Sequence, residues 1–224
     1  MPTFADKAIK YFLSLNSSLQ LTSSISLVNP YKNSDVRKII TAFYKKFFDD
    51  NNERVFILGI NPGRYGGGLT GISFTDPVAL RTECGIENNL GYKKELSSEF
   101  VYSFIKEYGG VKKFYSKFFL SALFPLAILK DGKNYNYYDE PKLLNLILPG
   151  IIDSLNNQIE FGAKRNTAIC LGKKNSKYFN EINSKYNFFR SIEVLEHPRY
   201  IMQYKRKSLS KYIERYTSLL KKLV

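Results

Sequence analysis

Over the first residues of the chain, Phe4, Ala8, Ile9 and Phe12 recur at helical spacing, which predicts an amphipathic helix from Phe4 to Leu15. A loop containing Asn29-Pro30-Tyr31 follows. Val36, Ile39, Ile40, Phe43 and Phe47 then mark a second helix, with Ser34 in position to cap it and Asp49-Asp50-Asn51-Asn52 to end it. From Arg54 to Ile60 the apolar run is continuous rather than alternating, the pattern of a short strand buried on both faces.

Further along, Asp76-Pro77 reads as an N-cap followed by proline at the first helical position, predicting a helix to about Cys84. Another begins near Ser97, carries Phe100, Phe104 and Ile105, and stops at Gly109-Gly110. Phe118 to Phe124 reads as a second strand, stopped by Pro125. The polar, turn-rich stretch Asp131 to Asp139 reads as a surface loop. A long helix is expected from Glu140 to Phe161, broken or kinked at Pro149-Gly150. Strand Thr167 to Leu171, helix Ser176 to Tyr186, strand Ser191 to Leu195 and helix Ser208 to Leu223 complete the series. Strands alternating with helices predict an α/β fold, a three-layer α/β/α arrangement around a mostly parallel, roughly four-stranded central sheet. With 224 residues and no linker, repeat or low-complexity stretch, one domain spanning 1–224 is expected.

Composition adds an aromatic core, with Tyr 17, Phe 17 and no Trp. Charge adds a partner. Lys+Arg 34 against Asp+Glu 20 gives a formal net charge of +14, which favours a polyanion, although a chain rich in Lys, Asn, Ile and Tyr throughout also drifts basic for compositional reasons. Lys205-Arg206-Lys207, with Lys211 and Arg215, is the densest late cluster; a solvated helix face is the competing reading. Cys84 and Cys170 lie far apart, without metal-ligand spacing, and Cys170 sits in the apolar run Ala168-Ile169-Cys170-Leu171, as a core thiol would. With a single histidine besides, no metal site and no cofactor are expected. The N-terminus lacks a basic segment followed by an apolar core, and no run reaches the length of a membrane span, so a cytoplasmic protein is expected.

Two segments carry chemistry. Gly59-Ile60-Asn61-Pro62-Gly63-Arg64-Tyr65-Gly66-Gly67-Gly68 follows the first strand, and His197-Pro198-Arg199-Tyr200, with the only histidine, follows the last. Both lie at carboxyl ends of strands, where open α/β sheets place ligands. The first lacks the dinucleotide spacing G-x-G-x-x-G and the Gly-Lys-Ser/Thr of a P-loop. What remains is Asn61 fixed by Pro62, with Gly63 leaving space above the turn for a flat ligand.

Leu58-Gly59-Ile60-Asn61-Pro62-Gly63-Arg64-Tyr65-Gly66, continued by Thr70-Gly71-Ile72-Ser73-Phe74, resembles motif 1 of the uracil-DNA glycosylase superfamily, in particular its single-strand-selective monofunctional branch. His197-Pro198-Arg199 resembles motif 2. Asn29-Pro30 and Leu123-Phe124-Pro125-Leu126 also fall where that branch has Asn-Pro and Leu-Cys-Pro-Leu. The resemblance implies the glycosylase fold and a monofunctional hydrolase that repairs DNA by releasing uracil, or a related deaminated or oxidised base such as 5-hydroxymethyluracil or xanthine. It implies that Asn61 positions the attacking water and that His197 donates to the departing base. Ile60, Gly63 and Phe74 would bind the base, with Phe74 stacked upon it. Arg64, Arg199, Tyr200, Met202, Lys205, Arg206 and Lys207 would contact DNA, with Arg199, Tyr200 and Met202 as candidates to fill the gap left by the flipped base. DNA, single- or double-stranded, is the implied partner, engaged by a monomer. Two departures stand out: Ala122 replaces the asparagine that reads the uracil edge, and Arg199-Tyr200 replaces a Ser-Pro in motif 2. A non-catalytic nucleic-acid-binding protein on the same fold is the alternative, with Ala122 as its support. A hydrolase of free nucleosides is a third reading, for which no paired carboxylates stand near either motif.

Overall fold

The computed structural model describes residues 1–16, 19, 21 and 23–224. In chain order its elements are α1 (Phe4–Ser14), β1 (Ile25–Val28), α2 (Ser34–Phe48), β2 (Val55–Gly59), α3 (Gly67–Thr70), α4 (Pro77–Thr82), α5 (Leu96–Tyr108) and α6 (Val111–Tyr115). There follow β3 (Phe118–Ala122), β4 (Ala127–Lys130), β5 (Lys133–Tyr135), α7 (Pro141–Ile159), β6 (Thr167–Leu171), α8 (Lys173–Tyr186), β7 (Ser191–Leu195), α9 (Pro198–Tyr204) and α10 (Leu209–Lys222). Side-chain caps set several of these boundaries. Thr3 and Asp6 form a reciprocal capping box at α1. Asp76 accepts from the backbone N–H groups of Val78 and Ala79 at 2.9 and 2.8 Å, and Pro77 starts α4. Asn33, rather than the expected Ser34, caps α2: its Oδ1 takes the N–H of Asp35 at 2.8 Å, which leaves Ser34 as the first helical residue. Gly109, at φ 123°, ends α5.

The central sheet is parallel, in the order β3-β2-β6-β7, and its register sets Gly59 beside Ala122 and Leu58 beside Cys170. Side chains alternate between its faces. Phe56 and its neighbour Phe119 pack against Phe4 of α1, and Phe119 also meets Phe48 of α2; Ser121, on the same face, bonds Gln158 of α7. Phe189, which touches Phe56, packs against Phe179 of α8, completing that layer. Phe118 points the other way, toward Tyr108 of α5 and Phe114 of α6, and α9 and α10 pack on α5. The three-layer α/β/α arrangement is therefore built largely from ring pairs, each worth about 0.5–1.5 kcal/mol beyond its buried area. Arg54 is fully buried among them; two N–H groups reach Asp50 at 2.9 and 2.8 Å, and the guanidinium lies 4.8 Å from the rings of Phe4 and Phe48.

Two expectations give way. Of the break or kink expected at Pro149, no break occurs: α7 is continuous from Pro141 to Ile159, with Leu143, Ile147, Ile151 and Leu155 buried along its length. The stretch read as a surface loop from Asp131 to Asp139 instead begins as a hairpin. Asp131 and Gly132, at φ 48° and 71°, turn β4 into β5, and β1-β4-β5 form a second, antiparallel sheet. Beyond β5, Tyr137 is completely buried.

Candidate active site

Chain order along the central sheet reverses between β2 and β6: β2 leads outward to β3, and β6 leads outward the other way to β7. Such a reversal opens a crevice at the carboxyl ends of the strands. Ile60 to Gly63, Phe74, Ala122 and His197 line one cavity there, together with Ser73, Glu95, Ser97, Arg199 and the backbone stretch Asn134 to Asn136.

Asn61 is held by residues far away in sequence. Its Nδ2 donates to the carbonyl of Tyr135 at 3.0 Å, and its Oδ1 accepts the backbone N–H of Tyr137 at 3.2 Å. Oxygen and nitrogen are thereby distinguished, and one lone pair and one N–H remain for a ligand. Tyr137 is anchored in turn, its hydroxyl donating to Asn175 of α8 at 2.7 Å. The hairpin that sequence reading took for a loop is thus what aims Asn61. Part of its signal was present: Asp131-Gly132 follows the apolar run Leu126 to Leu129 and precedes the alternating Lys133-Asn134-Tyr135-Asn136-Tyr137, and Asp-Gly is a strong mark of a two-residue turn.

Phe74 adopts φ 57°, a left-handed backbone that costs a non-glycine residue about 1–3 kcal/mol. Thr70 stabilises it. Its hydroxyl donates to the carbonyl of Thr75 at 2.7 Å and accepts from the N–H of Ile72 at 3.1 Å, drawing the segment into a closed loop. Gly71 lets this loop sit against α2, since a Cβ there would lie 2.9 Å from Ile40 Cδ1, and the hydroxyl of Tyr31 reaches its carbonyl at 3.0 Å. The ring of Phe74 then lies over the backbone of Gly59, where a Cβ would come within 2.4 Å of Cζ, and 5.7 Å from the His197 ring.

His197 caps α9: its Nδ1 accepts the N–H of Arg199 at 3.2 Å. In the neutral ring the proton is therefore on Nε2. Burial, and then the Arg199 guanidinium, push its pKa down to about 4, so the ring is a neutral donor at ordinary pH. Its backbone is tied to α10 by the hydroxyl of Tyr216, which donates to the carbonyl of Glu196, and by Arg215 bonding the Glu196 carboxylate at 3.0 Å.

The space above Gly63 is not open. A Cβ on Gly63 would lie 2.0 Å from Glu95 Oε1, and one on Gly66 would lie 1.9 Å from Oε2. Glu95 was not among the residues singled out from sequence, and nothing in its local pattern marks it. Burial pushes its carboxyl up to about 7, against the pull of Arg199 and with the help of Asp76. Ala122 sits at the end of β3 with its carbonyl held by Gln158 Nε2 at 3.2 Å, and presents no polar side chain to the cavity.

The residues expected to meet DNA divide. Arg199, Lys205, Arg206 and Lys207 are exposed, and Tyr200 stands on α9 with its ring 5.5 Å from that of exposed Tyr204, a residue sequence reading passed over. Arg206 is shared with Glu99 at 3.2 Å. Arg64 stacks on Tyr65 at 4.4 Å and donates to the carbonyl of Gly132, which binds it to the hairpin turn. Met202 faces inward and is buried, because the segment after His197 is a helix whose apolar side packs on α5; it is not free to fill a gap in DNA. Both cysteines are buried, with thiols pushed up to about 12 by burial. Among the described residues no group of three or more His, Cys, Asp and Glu is placed to hold a metal, and no helix is long and apolar enough to cross a membrane.

Comparison with known proteins places the chain in a family. The family model described as "Uracil DNA glycosylase superfamily" matches residues 45–221. The chain is similar to the crystal structure of wild-type Pedobacter heparinus SMUG2, with 43% identity and a TM-score of 0.96 over 100% of this chain and 99% of that one. No curated protein sequence matches it significantly.

Proposed function

The chain belongs to the uracil-DNA glycosylase superfamily and is a hydrolase of the DNA glycosylase class; from that premise we propose a monofunctional enzyme that releases uracil, and also 5-hydroxymethyluracil and xanthine, from DNA with Asn61 and His197 as its catalytic residues. In this reading Asn61 uses its free lone pair and N–H to hold a water against the anomeric carbon. The C–N bond breaks with its electron pair passing to the base, the water oxygen bonds to the anomeric carbon, and the proton that this water sheds is taken up in the end by the released base anion, through solvent. His197 donates from Nε2–H to the carbonyl oxygen on which the charge gathers. A donor placed in advance for such a charge is worth roughly 2.7–4 kcal/mol. A neutral ring serves as donor without first losing a proton, and its lowered pKa supports that role. Ile60 and Gly63 border the base, and Phe74, held in a strained backbone, gives it a flat face to stack on.

The single observation that carries the proposal is the convergence of Asn61, Phe74 and His197, from three separate segments, on one cavity. Monofunctional action is supported by the cavity lining, which contains no lysine to form a Schiff base. The wider substrate range is supported by Ala122, which removes an amide tied to one base edge. Flipping the base costs a few kcal/mol, least in single strands or mismatches. Arg64, Arg199, Tyr200, Lys205, Arg206 and Lys207 would offset it by holding the backbone. The chain would act as a single-domain monomer. The test is release of base from labelled oligonucleotides carrying uracil, 5-hydroxymethyluracil or xanthine. Strand cleavage only after alkali is the expected result; cleavage without alkali contradicts monofunctional action.

A further inference from the structure

We propose that the Glu95 carboxyl recognises the flipped base, pairing with the C=O and N–H edge of a deaminated base in place of the amide that Ala122 lacks. This rests on the glycosylase reading above. Three features of the site point to it. First, the Glu95 oxygens lie over the backbones of Gly63 and Gly66, where a Cβ would come within 2.0 Å of Oε1 and 1.9 Å of Oε2, so the carboxyl stands directly against the turn that carries Asn61 and Pro62. Second, Glu95 is the N-cap residue of α5, and its side chain leaves the helix end uncapped to enter the cavity; the residue is anchored instead through its N–H, which donates to Asp76 Oδ2 at 2.8 Å. Third, among the described residues no protein donor or acceptor is hydrogen-bonded to its two oxygens, and the half-buried side chain lines the cavity. Both oxygens are therefore left to solvent or a ligand.

The protonated carboxyl presents one donor and one acceptor, the same pair as a primary amide. Burial raises its pKa to about 7, so this form is well populated at neutral pH. Arg199 opposes protonation and Asp76 favours it; Arg64, Lys94 and Lys133 border the adjoining cleft, and His197, neutral here, shares the cavity. Uracil, xanthine and hypoxanthine all offer a carbonyl beside a ring N–H, which is why one such group serves several deaminated bases.

Single-turnover base release from uracil and xanthine oligonucleotides, at pH 6.0 and 8.5, compares the wild type with Glu95→Gln and Glu95→Ala, with thermal melts to establish folding. Glu95→Ala is expected to lose roughly 30-fold on both bases, the worth of a buried pair of hydrogen bonds. Glu95→Gln, which carries the amide outright, is expected within about threefold of wild type at pH 6.0 and above it at pH 8.5, where the wild-type carboxyl is ionised. The proposal is overturned if Glu95→Gln is as impaired as Glu95→Ala at pH 6.0, for the carboxylate itself is then required, or if Glu95→Ala matches an active wild type. A wild type that releases neither base sinks the glycosylase reading first.

Discussion

Asn61 and His197 stand at the carboxyl ends of two strands of one sheet, and each is oriented by backbone groups, but the origin of those groups differs. His197 is aimed locally, by the N–H of Arg199 two residues on, and its preceding turn is tied down by α10. Asn61 is aimed from a second sheet, by Tyr135 and Tyr137, more than seventy residues away. One arm of the site needs only a helix start; the other needs the β1-β4-β5 sheet to form and dock. The Asn61 arm is therefore the one that fold stability controls most directly.

The two arms differ most at Asn61 itself. Asn61→Ala is expected to slow base release by roughly 10³-fold, within the reach of a group that fixes the attacking water in place, and to lower stability by about 1–2 kcal/mol because two backbone groups of β5 and its continuation lose their partners. Single-turnover rates and denaturant unfolding measure the two effects separately. His197→Ala should cost roughly 10²–10³-fold in rate.

The His197 arm can also be sharpened with pH. Its folded pKa, about 4, lies below the ordinary 6.5, so the folded state holds fewer protons than the unfolded one between those values. Its stability contribution is complete above pH 6.5 and is lost as pH falls toward 4. Melts of His197→Gln against wild type should then converge at pH 7 and diverge in the variant's favour near pH 4.5. The imidazole should give no step in the rate near pH 6.5; a step there in wild type that His197→Gln abolishes would mean the ring is protonated at work.

A smaller effect separates the arms without touching either side chain. Gly132→Val forces a branched residue into φ 71° at the β4–β5 turn and should cost about 1–3 kcal/mol of stability and about tenfold in rate through Asn61. The His197 pH behaviour should be unchanged. Smallest is the outer surface: neutralising Lys205 or Lys207 should weaken binding to undamaged and damaged DNA alike, and reduce the slope of its salt dependence by about one for each phosphate that the variant no longer neutralises.

Much of this was legible in the chain. The four central strands, the Asp76-Pro77 helix start and the Gly109 stop follow from buried runs and local caps, which depend on neighbours within a turn. The chemistry-bearing segments were visible because Asn61, Phe74 and His197 keep a characteristic order and spacing. What escaped depends on distant partners. The hairpin's Asp131-Gly132 was readable as a turn, but its docking on Asn61 was not. Glu95 looks like any surface acid between Lys94 and Leu96, and only the two glycines across the cavity reveal its place. Met202 passed for a DNA-facing residue because the helix after His197-Pro198, which turns it inward, was not anticipated.

If Asn61 and His197 carry out hydrolysis together in one cavity, base release needs both side chains. Alkali-revealed base release from a single-stranded uracil oligonucleotide by wild type, Asn61→Ala and His197→Ala, under single-turnover conditions, tests this. Release by wild type, with both variants folded and slowed by at least about 100-fold, is the predicted result. A folded variant at either position that releases uracil at the wild-type rate would contradict the account.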